Sequence, residues 1–394
     1  MNKFTIDFAD AITTIGKDAW NKLTGTDNPF MRYEFLAALE ATDCTNEASG
    51  WQPHHVVVRT AQNKAQDEVQ DGAQPGEIIA IIPLYEKTNS YGEYVFDWSW
   101  AHAYQQNGLN YYPKFVTSAP FTPSVGRRLF IADGYDASKV MQQVCDAVQE
   151  QAQHIQASSW HILFPTDEEH KLLTTLNLMP RSACQFHWHN RGYQSFEQFL
   201  ASMNSRKRKN IRKERTRVQE EGITFQHIEG ADIPATLWQE FYAFYQNTHL
   251  LRGRQGYLNQ AFFHEVSRAM PEQLLMICAR QNNRTIATAL FFKSADTLFG
   301  RYWGSAQDYQ FLHFETCFYQ GQDYAIKHGY QHFDSGAQGE HKIQRGFEPT
   351  LTHSNHWIAH PAFRTAIQNF LGEEARHIKH YQQQAESLLP FKDG

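Results

Sequence analysis

Leu312-His-Phe-Glu-Thr-Cys-Phe-Tyr-Gln-Gly-Gln-Asp-Tyr-Ala-Ile-Lys-His-Gly329 and, three residues on, His332-Phe-Asp-Ser-Gly-Ala-Gln-Gly-Glu-His-Lys-Ile-Gln-Arg-Gly-Phe347 decide the fold. Phe314, Phe318, Gly321 and Ala325 recur at helical spacing, and that stripe reads as core. Gly329 supplies the stop. A short apolar-alternating strand follows, then a polar exit punctuated by Gly336 and Gly339. Helix, glycine stop, strand and polar glycine-rich exit is how an α/β fold presents a site at a strand end. The glycines permit turns that other residues resist and let another group approach closely. Glu340, His341, Lys342 and Arg345 crowd beside them, with Gln338 between. A surface loop would scatter such groups. Adjacent acid, imidazole and ammonium are costly to bury unpaired and favour a site.

Working outward, three strands precede the helix: Leu274 to Arg280, Thr285 to Ser294 and Thr297 to Gly304. The turns between them are Arg280-Gln-Asn-Asn-Arg284 and Ser294-Ala-Asp296. Strand alternation puts Arg301 and Trp303 on one face and Tyr302 on the other. His313 and Glu315 stand at the helix start, where free N–H groups suit a phosphate or thioester oxygen. The dense glycine loop of a strong phosphate cradle is absent there.

Farther upstream, Ala235 to Thr248 and Asn259 to Met270 read as helices, Ile223 to Ile228 as a strand, and Ser195 to Glu220 as one long helix. The first half repeats the order. Strands are expected at Pro53 to Arg59, Glu77 to Tyr85, Tyr94 to Trp98, Lys114 to Ala119, Trp160 to Phe164 and Ser182 to His189. Helices are expected at Asp136 to Gln156 and Asp167 to Leu176, with a solvated loop at 60–76. The reading is α/β with mixed sheets, made by meander and crossover and used twice. That is the organisation of two tandem GNAT-like domains, 1–192 and 193–394. The second holds a basic helix at 203–219 and a C-terminal helix at 362–388.

Bulk properties bound the function. At 394 residues, two domains is the natural prior. Hydrophobic content of 41% excludes global disorder. A formal charge of −6 argues against nucleic-acid binding by the whole surface but allows a local basic site. Five dispersed cysteines without a CxxC pair suit reduced thiols in a cytoplasm. The N-terminus carries acids where a signal peptide needs an apolar run, and no stretch reaches the ~20 apolar residues of a membrane span. The expected location is cytoplasmic. The twenty histidines include no HExxH, so no metal is expected.

Two further stretches stand out. Ser205-Arg-Lys-Arg-Lys-Asn-Ile-Arg-Lys-Glu-Arg-Thr-Arg217 carries eight basic residues, leaving 28 basic and 41 acidic residues elsewhere. Such a run is either a solvated, self-paired helix face or the seat of an anionic partner, with Arg208 and Arg212 as its contacts. The second stretch is aromatic and Gly/Pro-punctuated, from Asp97-Trp-Ser-Trp through Tyr111-Tyr-Pro-Lys114 to Pro120-Phe-Thr-Pro-Ser-Val-Gly-Arg-Arg128. It reads as a packed loop or a substrate wall, with Lys114 and Arg128 as anion contacts.

These segments together resemble an uncharacterised bacterial family of peptidoglycan biosynthesis or recognition proteins, placed with the FemAB-like branch of the GNAT superfamily. The matching residues are the Asp97 to Arg127 stretch, the Arg208-Lys-Asn-Ile-Arg-Lys-Glu-Arg helix, and His313-Phe-Glu-Thr-Cys to Gly336-Ala-Gln-Gly-Glu-His-Lys342. The resemblance implies transfer of an acyl or aminoacyl group to an amine, with acyl-CoA or aminoacyl-tRNA as donor substrate and no tightly bound cofactor. Expected partners are an anionic precursor substrate and tRNA. The chain lacks the coiled-coil arm of the FemAB-like enzymes and the RxxGxG/A loop of acetyl-CoA enzymes. Glu340 or His341 would take the proton, and Tyr302 or Tyr319 would protonate the leaving group. Lys342, Arg345, Arg301, Trp303, Gln338, His313, Glu315, Arg128, Lys114, Arg208 and Arg212 would bind substrate. The alternative is a non-catalytic protein of the same fold that binds an anionic precursor or nucleic acid.

Overall fold

The computed structural model describes residues 4–61, 76–337 and 339–392. The chain divides into two compact units. Unit 1 comprises Met1–Thr26, Phe30–Ser182 and Thr352–Arg376; unit 2 comprises Asp27–Pro29, Ala183–Leu351 and His377–Gly394. The break read at residue 192 thus stands against a crossing between Ser182 and Ala183, inside an unbroken strand, and 352–376 returns to unit 1. Most of the 60–76 loop, residues 62–75, lies outside the described residues.

In unit 1, β1 (Phe4–Ala9), β2 (Trp51–Pro53), β3 (His55–Thr60), β4 (Ile78–Ile82), β5 (Tyr85–Lys87), β6 (Lys114–Thr117), β7 (Phe130–Ile131) and β8 (Ser159–Leu163) build two groups of strands. One group is antiparallel, in the order β1-β3-β4-β7; the other runs β2-β5-β6-β8, with β6 and β8 parallel. The crossover between β6 and β8 uses the helix Ala137–His154. Asp136 caps it, accepting from the Ser138 and Lys139 N–H groups, and Val140, Val144, Val148 and Ala152 form its buried stripe. That stripe packs into a core with Val56, Val58, Ile82, Trp160 and Ile162. Two strands cross between the units along the chain: β9 (Met179–His189) and, near the end, β15 (Glu348–Ile358).

The expected strand at Tyr94–Trp98 does not form. A helix, Trp98–Gln106, starts there instead and buries Trp100 and Tyr104, one helical turn apart. In unit 2 the expected long helix is two: Phe196–Ala201 and Ser205–Glu220. Asn204 restarts the second, its side chain accepting from the Lys207 N–H.

Unit 2 holds β10 (Thr224–Glu229), β11 (Leu274–Gln281), β12 (Arg284–Lys293), β13 (Thr297–Ser305) and β14 (His332–Asp334). Their order is β10-β11-β12-β13-β14-β9, antiparallel except for the parallel β13–β14 pair. Asn282 and Asn283, both at positive φ, make the tight β11–β12 turn that the asparagine pair announces. Leu312 to His328 forms the crossover from β13 to β14, π-helical at Glu315–Tyr319, and Gly329 ends it at φ 76°. The core lies beneath, with Phe199, Leu200, Ile277, Phe291, Phe318, Tyr319 and Phe333. Among the described residues no helix is long and apolar enough to cross a membrane.

Candidate active site

β13 and β14 pair only from Thr297 with His332 to Phe299 with Asp334. Past that point their backbones part. On its other edge β13 is bulged: Leu290 faces Tyr302, Phe291 faces Gly300, and Arg301 is the extra residue. A bulge bends a strand and re-aims its side chains. Over the parting lies a cavity of about 410 Å³, lined by Arg301, Tyr302, Trp303, His313, Cys317, Ser335, Gly339, His341, Lys342 and Arg252, with Phe291 and Phe318 among its apolar walls.

One ion pair fixes the exit of β14. Arg301 donates to both carboxylate oxygens of Asp334, at 2.6 and 3.2 Å, and to its carbonyl. Asp334 also accepts from the Gly336 N–H at 2.8 Å. Burial opposes its charge, but Arg301 and then His187 hold its carboxyl well below the usual range. Burial in turn pushes the His187 imidazole down to about 4, against the pull of Asp334. Arg301 therefore braces the strand end while also lining the cavity.

The exit then turns into a short 3₁₀ helix, Glu340–Arg345. Three residues per turn place Lys342 and Arg345 on the buried side and leave Glu340 and His341 outward. Lys342 donates to the carbonyls of Ser335 and Gly336, at 3.0 and 2.7 Å. Burial first, then Arg301, lowers its ammonium to about 8, against the pull of Asp334. His341 sits at the cavity edge against Phe314, Phe318 and His313. Burial, Arg345 and Lys342 all hold its imidazole below the ordinary value. His313, deeper, is pushed to about 4 by burial and then by the same cations, with His341 and Arg252. Gly339 has φ 118°, and a Cβ there would meet His341 Cε1 at 2.5 Å. A side chain there would be strained by that φ and would displace the imidazole.

Of the residues singled out from sequence, His341, Lys342, Tyr302, Arg301, Trp303 and His313 line this cavity. Glu340 does not; it is exposed and accepts from the Tyr381 hydroxyl at 2.7 Å. Arg345 is bidentate to Glu214, at 2.9 Å each, and stacks 3.5 Å over the Phe314 ring. Glu315 is buried against Arg215 at 3.0 Å. Arg208 reaches the Met203 carbonyl and Arg212 the exposed Glu197, and neither lines the cavity. Glu214 and Arg215 are thus the inward-facing charges of the basic helix, while Arg206, Lys209, Arg212, Lys213 and Arg217 face solvent. Arg128 and Lys114 belong to unit 1. The Arg128 guanidinium donates to four carbonyls, of Ser124, Gly126, Arg127 and Leu163. Lys114 is enclosed by Glu93 and Asp97. Gln338 lies outside the described residues. Sequence reasoning missed Arg252, Ser335 and Cys317. Arg252-Gly-Arg254, two cations in a glycine turn after a helix, was the readable signal for the first. Among the described residues no group of three or more His, Cys, Asp or Glu is placed to hold a metal ion.

The chain belongs to the FemAB-like family, described as peptidoglycan biosynthesis/recognition, whose model matches residues 11–393. No curated protein sequence matches it. Among solved structures, FemX is similar over 93% of this chain and 100% of its own, at 11% identity and TM-score 0.52. The C-terminal domain of a putative lysylphosphatidylglycerol synthetase from Agrobacterium fabrum is similar over 90% of this chain and 95% of its own, at 9% identity and TM-score 0.51. A tandem GNAT protein from the clavulanic acid biosynthesis pathway covers 91% of this chain and 99% of its own, at 8% identity and TM-score 0.46. The fold is α/β with mixed sheets and is the fold of FemX.

Proposed function

From membership of the FemAB-like family, we propose that this protein is an acyl- or aminoacyltransferase and that the unit 2 cavity is where an amine is acylated. The observation that carries the reading is the parted β13–β14 edge, opening into a cavity lined by imidazole, ammonium and phenol groups. Amine acylation needs a proton acceptor, a seat for the oxyanion and a proton for the leaving group. His341, with its imidazole held below the ordinary value, is neutral at pH 7 and accepts the amine proton. The nitrogen attacks the acyl carbonyl, the new C–N bond forms, and the oxyanion lies along backbone N–H groups of β13 past Phe299. The bond to the donor oxygen or sulfur then breaks, and the Tyr302 hydroxyl protonates the departing atom. Lys342 and Arg252 draw anionic substrate into the cavity. Glu340, bonded to Tyr381, positions the turn that carries His341.

Between the two donors, aminoacyl-tRNA fits better than acyl-CoA. The turn before Leu312 has no glycine cradle, and Tyr309 and Phe311 pack there against the core. A diphosphate would find side chains where it needs bare backbone. The acceptor is an amine on a cell-wall precursor, and the expected setting is the cytoplasm. The test presents the purified protein with charged tRNA, or acetyl-CoA and longer acyl-CoAs, together with amine-bearing muropeptides. Transfer should occur, and His341→Gln should cut turnover by roughly 10²–10⁴-fold while donor binding persists. Donor binding without transfer by the wild-type protein would establish a non-catalytic binding protein instead.

A further inference from the structure

The unit 2 cavity holds a charge that the protein itself does not neutralise. Lys342 is buried, and its ammonium donates to two carbonyls, those of Ser335 and Gly336. One of its three N–H donors is left over. The acid that pulls on it, Asp334, is already engaged by Arg301 at 2.6 Å. Among the described residues no aspartate or glutamate lines the cavity, and neither Lys342 nor Arg252 enters an ion pair. Arg252 reaches the same space from just beyond the helix Ala235–Leu250, and both cations act on His313. A buried charge without a counter-ion is costly to maintain, and an anion brought by a ligand removes that cost.

The donors left over fit a carboxylate. One ammonium N–H and one planar guanidinium fork match its two oxygens. A phosphate group brings three acceptor oxygens and would leave one facing the apolar walls of Phe291 and Phe318. Lys342 and His341 are consecutive residues of one 3₁₀ turn and line one cavity of about 410 Å³. An anion seated on Lys342 therefore lies close to a nitrogen presented to His341. The lack of an acid serves that nitrogen as well. A carboxylate on the wall would hold an incoming amine as its ammonium, whereas Lys342 and Arg252 favour the neutral, attacking form.

We propose that the acceptor is an α-amino carboxylate: the carboxylate beside the reacting amine sits on Lys342 and Arg252, and the amine faces His341. A plain alkylamine carries no anion for the two cations and enters as a bare ammonium, which they repel. Phe291 and Phe318 take the apolar remainder of the acceptor's side chain. The inference deepens the acylation reading of this cavity and rests on it.

The test is calorimetric titration of the full chain at pH 7 with three probes matched in length: 2-aminohexanoate, its carboxamide, and 1-aminopentane. The carboxylate should bind about tenfold more tightly than either of the others. Arg252→Gln, a substitution at an exposed position, should remove most of that preference, and Lys342→Met should remove it as well. Equal affinity for the carboxylate and its carboxamide, no binding of the carboxylate at millimolar concentration, or a preference unchanged in both variants would each overturn the proposal. So would inorganic phosphate binding more tightly than 2-aminohexanoate, which would make the seat a phosphate site. Transfer assays with the same three amines keep the two readings apart. Acylation of all three alike would refute the carboxylate seat and leave the transferase standing. Carboxylate-selective binding with no acylation of any amine would refute the transferase and leave the seat standing as a binding site.

Discussion

Replacing Lys342 by methionine tests the electrostatics of the unit 2 cavity most directly. Methionine keeps the length and apolar stem of the side chain and removes the charge. The lysine is 2% exposed, and its ammonium is lowered from 10.5 to about 8, by burial first and Arg301 next. At about 1.4 kcal/mol per pKa unit, holding the charge inside the fold costs about 3 kcal/mol. The sign follows from proton counting. Between pH 8 and 10.5 the unfolded chain keeps this proton while the folded chain has released it. Stability contributed by this group therefore rises with pH across that window and is flat below it. The assay is urea unfolding of wild type and Lys342→Met from pH 7 to 10.5, read as the difference between the two proteins, so that other lysines and tyrosines cancel. The wild type should gain up to about 3 kcal/mol relative to the variant across the window. Affinity for an anionic ligand should fall over the same range in the wild type alone, as the ammonium loses its charge. A flat difference curve would mean that Lys342 titrates like a solvated lysine, and the buried geometry argued for it would be wrong.

Three further outcomes are expected. Arg301→Gln leaves Asp334 buried without its cation and should destabilise the protein by about 3–5 kcal/mol, seen as a large fall in melting temperature; an unchanged melting temperature would remove the brace assigned to that pair. Gly339→Ala adds a methyl where φ is 118° and the His341 imidazole already sits. It should lower transfer far more than stability, whereas equal losses would reduce Gly339 to a folding residue. Charge reversal at Lys209, Arg212 and Lys213 should weaken tRNA binding and flatten its salt dependence without altering the cavity; an unchanged salt slope would make that helix face solvated surface only.

What could be read along the chain was whatever depends on near neighbours. The helix ending at Gly329, the Asn282-Asn283 turn, the meander leading to β13 and the crossover into β14 are all written in spacing and turn chemistry within a few residues. From these the α/β class and the placing of a site at the end of β14 followed. His341, Lys342, Tyr302, Arg301, Trp303 and His313 come together because the residues on both sides of one crossover must meet at one strand end. Which way each side chain faces was not local. Glu340 looked as inward as Lys342 until the 3₁₀ turn placed it outside with Tyr381, 41 residues later in the chain. Lys114 and Arg345 looked like free cations because their partners are remote: Glu93 with Asp97, and Glu214. A charge reads as available when its counter-charge is distant in sequence, and only the tertiary structure brings the two within bonding range. The same holds for Asp97-Trp-Ser-Trp. Its alternation suits a strand, but burial of Trp100 and Tyr104 on one helical face outweighs that local preference.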